Sequence, residues 1–112
     1  MEQLVKEQTV ANDCQLCPKF THTFMILGKK WNGLIIEALL EQGTMRFKDI
    51  AKSITKCSDR VLCERLKELE EEKIVSRNTY PGLSRVDYSL TKRGQELGPV
   101  MKEVHDWSDK WC

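Results

Sequence analysis

The chain has 112 residues, of which 40% are hydrophobic and 31% charged, and a formal net charge of +1. These values fit one compact soluble domain and exclude a disordered chain or a broadly polyanion-binding one. No apolar run approaches the ~18 residues of a membrane span, and MEQLVKEQTV lacks the basic-then-apolar order of a secretion signal, so the expected location is the cytoplasm. In that compartment an odd count of five cysteines speaks against a disulfide scaffold and for reactive thiols, metal ligands or packing.

Residues 1–16 show no clear period and are expected to be an arm, with residues 17–112 forming the domain. Pro18 suits the first position of a helix, which makes Cys17 its N-cap. Phe20, Phe24 and Leu27 then share one face. In WNGLIIEALLEQG, Leu34, Ile35, Ala38 and Leu39 predict a second helix that stops at Gly43. Phe47, Ile50, Ala51 and Ile54 predict a short third helix over Arg46–Ile54. Ser58 is an N-cap and Asp59 lies in the first turn of a fourth helix, Ser58–Glu72, whose buried stripe is Leu62, Leu66 and Leu69. At ~100° per residue, Arg60, Glu64 and Lys67 point away from that stripe, and Arg65 sits beside it.

The period then changes. IVSRNTY and RVDYSLT flank the turn Pro81-Gly82-Leu83-Ser84, and Val86, Tyr88 and Leu90 alternate, so a β-hairpin is expected. Thr91 caps a last helix that runs to the end, and Pro99 kinks it or restarts it. Leu97, Val104 and Trp111 recur at seven residues, as do Val100 and Trp107, which is too apolar a stripe for a lone helix on so small a domain. Pairing of two copies across a two-fold axis would cover it. The fold class expected is mainly α with a small β-hairpin wing, a winged helix-turn-helix dimerising through its N- and C-terminal helices. The interface set is Phe20, Phe24, Leu97, Val100, Met101, Val104, Trp107 and Trp111.

Charge is uneven along the chain. Arg46, Lys48, Lys52, Lys56, Arg60, Arg65 and Lys67 face only Asp49, Asp59 and Glu64 in the same stretch, over the elements that meet DNA in such a fold. The expected DNA-contacting set is Arg46, Lys48, Ser58, Asp59, Arg60, Cys63, Glu64, Lys67 and Arg85, with Arg85 near the wing tip. Glu64 is expected to orient an arginine or read a cytosine amino group.

The thiols differ in setting. A thiol at a helix N-cap sits where free amides and the helix dipole favour the thiolate, and Lys19 adds positive charge, so Cys17 is the expected attacking or alkylated group. Cys112 ends the last helix beside its own carboxylate, which suits a resolving partner. Cys14 competes as an intrachain partner or, with His22 or His105, as half of a zinc site. No second C-x-x-C exists, so neither a metal nor a cofactor is expected. Cys57 and Cys63 read as packing residues, with oxidation of Cys63 as another way to block DNA.

CPKF, ILGKKWNGLII, RFKDIAKSI, SDRVLCERLKELEEEKIVSR and YPGLSRVDYSLTKRGQEL, in that order over residues 17–111, resemble the HxlR family of small bacterial winged-helix regulators. Cys17 before Pro18, and Cys112 after DWSDKW, are most similar to its diamide- and quinone-sensing YodB-like branch. The chain departs from that pattern in its arm with Cys14, a slightly shorter wing turn and two cysteines at the fourth helix. The resemblance implies a homodimer on palindromic operator DNA, bound through the recognition helix and wing, with redox control through Cys17. An intersubunit Cys17–Cys112 disulfide or S-alkylation would then release the operator. The competing readings are a winged-helix regulator whose cysteines are not the sensor and a winged-helix protein-interaction module. A thiol oxidoreductase lacks the strand–helix context its C-x-x-C needs, so no enzyme is expected.

Overall fold

The computed structural model describes residues 16–112, so the expected arm and its Cys14, all but Leu16, lie outside the described residues. The elements are α1 (Pro18–Leu27), α2 (Asn32–Gln42), α3 (Phe47–Ser53), α4 (Asp59–Glu71), β1 (Val75–Thr79), β2 (Val86–Leu90), α5 (Lys92–Gln95) and α6 (Gly98–Trp111). The winged helix-turn-helix order is therefore present, with α3 and α4 as the helix pair and β1–β2 as the wing.

Local chemistry sets the boundaries. Pro18 occupies the first turn of α1 and Cys17 is its N-cap. The Ser58 hydroxyl accepts the Val61 N–H at 3.2 Å and opens α4. The Thr91 hydroxyl accepts the Gly94 N–H at 3.1 Å and opens α5. The last helix is two helices: α5 ends at Gln95, and α6 restarts with Pro99 in its first turn, where a missing N–H is harmless. A Cβ at Gly94 would collide with the Ile74 carbonyl, so glycine lets α5 lie against the chain entering β1.

The core joins Ile35, Ile36 and Leu39 of α2, Ile50 and Ile54 at α3, Leu62, Leu66 and Leu69 of α4, and Val75, Tyr88 and Leu90 of the wing. In α2 the expected face was rotated. Leu34 is exposed, while Ile36 is buried together with Asn32. Positions 32, 35, 36 and 39 are one helical stripe with a polar first member, and that member forms the hydrogen bond that justifies its burial: Asn32 Nδ2 donates to the Ile26 carbonyl at 2.8 Å and ties α2 to α1. Arg65 is structural, as its place beside the leucine stripe implied. Its guanidinium donates to the Lys30 carbonyl at 3.3 Å and to Glu68 at 3.4 Å.

The two strands pair antiparallel from Val75↔Leu90 to Thr79↔Val86. Tyr88 also exchanges backbone hydrogen bonds with Met45, which brings the segment before α3 alongside the hairpin. The wing turn closes with Leu83 N–H on the Tyr80 carbonyl at 3.0 Å. Pro81 then Gly82, the latter at φ 76°, supply the two central conformations such a turn needs. Behind it lies Asp87, 1% exposed. It accepts hydrogen bonds from Tyr80 Oη at 2.9 Å, Asn78 Nδ2 at 3.0 Å and Arg85 Nε at 3.2 Å. Burial pushes its pKa up, but the bonds from Asn78, Tyr80 and Arg85, with the Arg85 charge, outweigh that and hold it below the ordinary value.

No residue of α6 is buried. Val100, Val104, Trp107 and Trp111 stand exposed, Trp111 at 66%. Phe20 and Phe24 of α1 are likewise exposed, their rings 4.9 Å apart. Leu97 and Met101 differ from the rest of the expected interface set, since both pack half-buried on the chain's own core.

Two outcomes follow from this packing. Leu66→Ala removes a side chain that is 2% exposed and is expected to cost about 2–5 kcal/mol in urea denaturation. The Asp87 cluster has a depressed pKa, so its contribution is complete at neutral pH and is lost as pH falls below about 4. Hydrogen exchange across 79–86 is expected to accelerate there before that of α2 and α4, and Asp87→Asn is expected to remove the pH dependence.

Candidate functional site: a charged helix face and a thiol at a helix start

The leucine stripe of α4 turns Arg60, Cys63, Glu64 and Lys67 to solvent. Arg60 pairs with Glu64 at 3.1 Å, one turn on, so Glu64 does orient an arginine. Both are well exposed, which makes the pair weak and easily exchanged for another partner. Arg60, Cys63, Glu64 and Lys67 line one wall of a groove of about 360 Å³, and Arg77 and Tyr88 of the wing line the other. Arg77 was missed in the sequence. Strand alternation places it opposite Tyr88 on the wing face toward α4, whereas the alternation read in the sequence covers only Val86, Tyr88 and Leu90 of the partner strand.

The other expected contacts are distributed as follows. Arg46 is the N-cap of α3, and Arg46 and Lys48 are exposed. Asp59 is exposed in the first turn of α4. The Ser58 hydroxyl is already used as a cap. Arg85 is committed inward: it pairs with Asp87 at 3.2 Å and lies over the Tyr80 ring at 5.0 Å, leaving its side chain 47% exposed. The buried aspartate that holds it was also missed, because a carboxylate inside an alternating strand reads as an outward residue.

The thiols sort by burial. Among the described residues Cys17, Cys57, Cys63 and Cys112 are free. Cys57 is 6% exposed and its Sγ donates to the Ser58 carbonyl at 3.6 Å, as a packing residue does. Cys63 is exposed on the outer face of α4, so the packing reading fails for it. Cys17 is exposed at the start of α1; its carbonyl accepts the Thr21 N–H at 3.0 Å, while its side chain makes no capping bond. Cys112 is exposed at the end of α6, next to Trp111, whose ring lies 5.4 Å from the Lys110 ammonium.

Neither histidine turns to a cysteine among the described residues. His22 bonds Glu72 at 3.0 Å, joining α1 to α4. His105 bonds Glu37 at 2.8 Å, joining α6 to α2, and that carboxylate holds the imidazole above its ordinary pKa.

A family description, HxlR-like helix-turn-helix, matches residues 26–112. The HTH-type transcriptional regulator YodB of Bacillus subtilis (strain 168) is 45% identical over 98 residues, covering 87% of this chain and 87% of YodB. Solved structures of YodB from B. subtilis, each 44% identical, superpose well. The reduced form has a TM-score of 0.78 (88% of this chain, 96% of that one), the quinone-bound form 0.76 (86% and 100%) and the diamide-treated form 0.72 (88% and 98%). The chain belongs to the HxlR-like helix-turn-helix family and is a transcriptional regulator of the YodB type.

Proposed function

We propose that the protein is a cytoplasmic, homodimeric repressor that binds a palindromic operator when reduced and releases it when oxidants or quinones modify Cys17. The observation that carries this reading is an exposed thiol at the start of a helix of exposed aromatics. Cys17 opens α1, and Phe20 and Phe24 follow on its uncovered face. Cys112 closes α6, whose Val104, Trp107 and Trp111 are equally uncovered. A dimer interface built from these two faces would bring the thiols of two subunits to one seam. The existence of quinone-bound and diamide-treated structures of YodB supports the same chemistry.

The steps balance. With diamide, the Cys17 thiolate adds to the N=N bond and a proton completes the adduct. The Cys112 thiolate of the second subunit then attacks the Cys17 sulfur, so that two thiols become one disulfide and the diazene becomes a hydrazine. With a quinone, the thiolate adds to a ring carbon, and proton transfer leaves a hydroquinone thioether.

On DNA, α4 enters the major groove, with Arg60 and Lys67 toward the bases or phosphates and Cys63, Glu64 and Asp59 beside them. Arg46 at the start of α3 and Lys48 within it hold the backbone, and the wing follows, with Arg85 reaching DNA through the part of its side chain that Asp87 leaves exposed. Ser58 contributes through the helix terminus it caps.

Two measurements test this proposal. On DNA selected from a random pool by the reduced protein, affinity is expected to fall steeply with salt, and Arg60→Ala with Lys67→Ala to weaken it about tenfold or more. Salt-insensitive binding, or a double variant that binds normally, would favour an interaction module. On non-reducing electrophoresis, diamide is expected to give a covalent dimer that is absent from Cys17→Ser and from Cys112→Ser. A dimer band that survives in either variant excludes the proposed pairing.

A further inference from the structure

Strand register puts Arg77 directly opposite Tyr88, so both side chains leave the wing on one face, the face turned to α4. They form one wall of the groove of about 360 Å³ whose other wall is Arg60, Cys63, Glu64, Lys67 and Glu70 of α4. Arg60 and Glu64 satisfy each other at 3.1 Å. Lys67 and Arg77 are exposed, stand on opposite walls and have no ion pair among the described residues. Against these two cations the groove holds one further carboxylate, the half-buried Glu70. Its walls therefore carry one more positive charge than negative, and the two unpaired cations face each other across it.

Tyr88 adds a neutral donor. It is 9% exposed, and its backbone N–H and carbonyl are both bonded to Met45. Its hydroxyl bonds no described residue, yet it is not sealed from solvent; among the described residues Asn32 Oδ1 is the side-chain atom that is both sealed and without a partner. The Tyr88 hydroxyl therefore keeps access to the groove that the residue lines. Buried phenols nearly always find a partner, so a free O–H on an almost wholly buried ring marks a place for an acceptor. The other arginine of the wing, Arg85, is by contrast already bound to Asp87.

We propose that this groove seats one strand of the DNA backbone, with a phosphate held between Lys67 of α4 and Arg77 of the wing and hydrogen-bonded by the Tyr88 hydroxyl. The shape of the duplex brings a strand there. Each backbone strand is the ridge between a major and a minor groove, so a helix lying in one and a hairpin reaching toward the other straddle it. The phosphate oxygens accept from both cations, in charge-assisted bonds, and from the phenol. The wing thus meets DNA along its strand face, beside α4, more than at its tip, where Asp87 and the Tyr80 ring hold Arg85. Glu70 opposes the phosphate and limits how tightly any duplex is held. A phosphate contact carries no sequence information, so the seat sets register and strength, not the choice of operator. The seat rests on the DNA binding proposed above and adds Arg77 and Tyr88 to it.

The test titrates the reduced protein, over a range of salt, with two duplexes: one selected by the protein from a random pool and one of unrelated sequence. Arg77→Gln changes an exposed side chain, so its effect is read on a folded protein. It is expected to weaken both duplexes by the same factor and to lower the slope of log affinity against log salt by about one. Tyr88→Phe keeps the buried ring and is expected to weaken both about tenfold at unchanged slope, since a neutral hydroxyl displaces no counterion. Glu70→Gln is expected to tighten both. A wild-type slope in Arg77→Gln, a loss confined to the selected duplex, wild-type affinity in Tyr88→Phe, or weaker binding by Glu70→Gln each overturns the seat while the DNA binding stands. A wild-type protein that binds neither duplex overturns the DNA binding itself, and the seat with it.

Discussion

The roll of α4 about its own axis is the constraint on which the functional surface depends. Leu62, Leu66 and Leu69 are all buried, and burying each contributes roughly 1.5–3 kcal/mol. The Arg60–Glu64 pair on the opposite side is exposed and is worth about 0–1 kcal/mol. The apolar term therefore decides which way the helix faces, and the charged face follows from it. A charged groove arises against the wing because the core has already placed Arg77 and Tyr88 across from that face.

The second constraint is unfinished burial. α1 and α6 begin and end with thiols and present aromatic side chains to solvent, and no residue of α6 is fully buried. Only Leu97 and Met101 anchor its first turns inward. The His105–Glu37 pair holds the same helix to α2 with a proton shared between an imidazole and a carboxylate. Its raised pKa means that this attachment is strongest below the ordinary histidine range and is lost as pH rises through the folded value. A helix held this lightly suits the subunit seam proposed above.

Much of the fold was legible because short-range chemistry and tertiary packing agree. Pro18, Ser58, Thr91 and Pro99 mark helix starts that hold in three dimensions, and the α4 stripe was readable at 3.6-residue spacing. The failures share one cause. Asn32 and Asp87 are polar residues inside, and a division into apolar-in and polar-out assigns them to the surface. For α2 this rotated the expected face onto Leu34, and at the wing it freed Arg85, which Asp87 in fact holds. The partners that justify their burial, Ile26, Asn78 and Tyr80, follow only from how the chain turns back on itself. The thiol positions carried the same ambiguity. Cys57 and Cys63 are six residues apart, yet one faces the core and the other solvent because α4 begins between them.

In the proposed function, chemistry at Cys17 decides whether DNA stays bound. That is tested by the operator affinity of wild-type and Cys17→Ser proteins, each before and after diamide and before and after a quinone. The wild type is expected to lose its operator under both treatments and Cys17→Ser to keep it under both. Equal release by the two proteins would contradict this and move the sensor to another thiol, with the exposed Cys63 on the proposed DNA face as the first candidate.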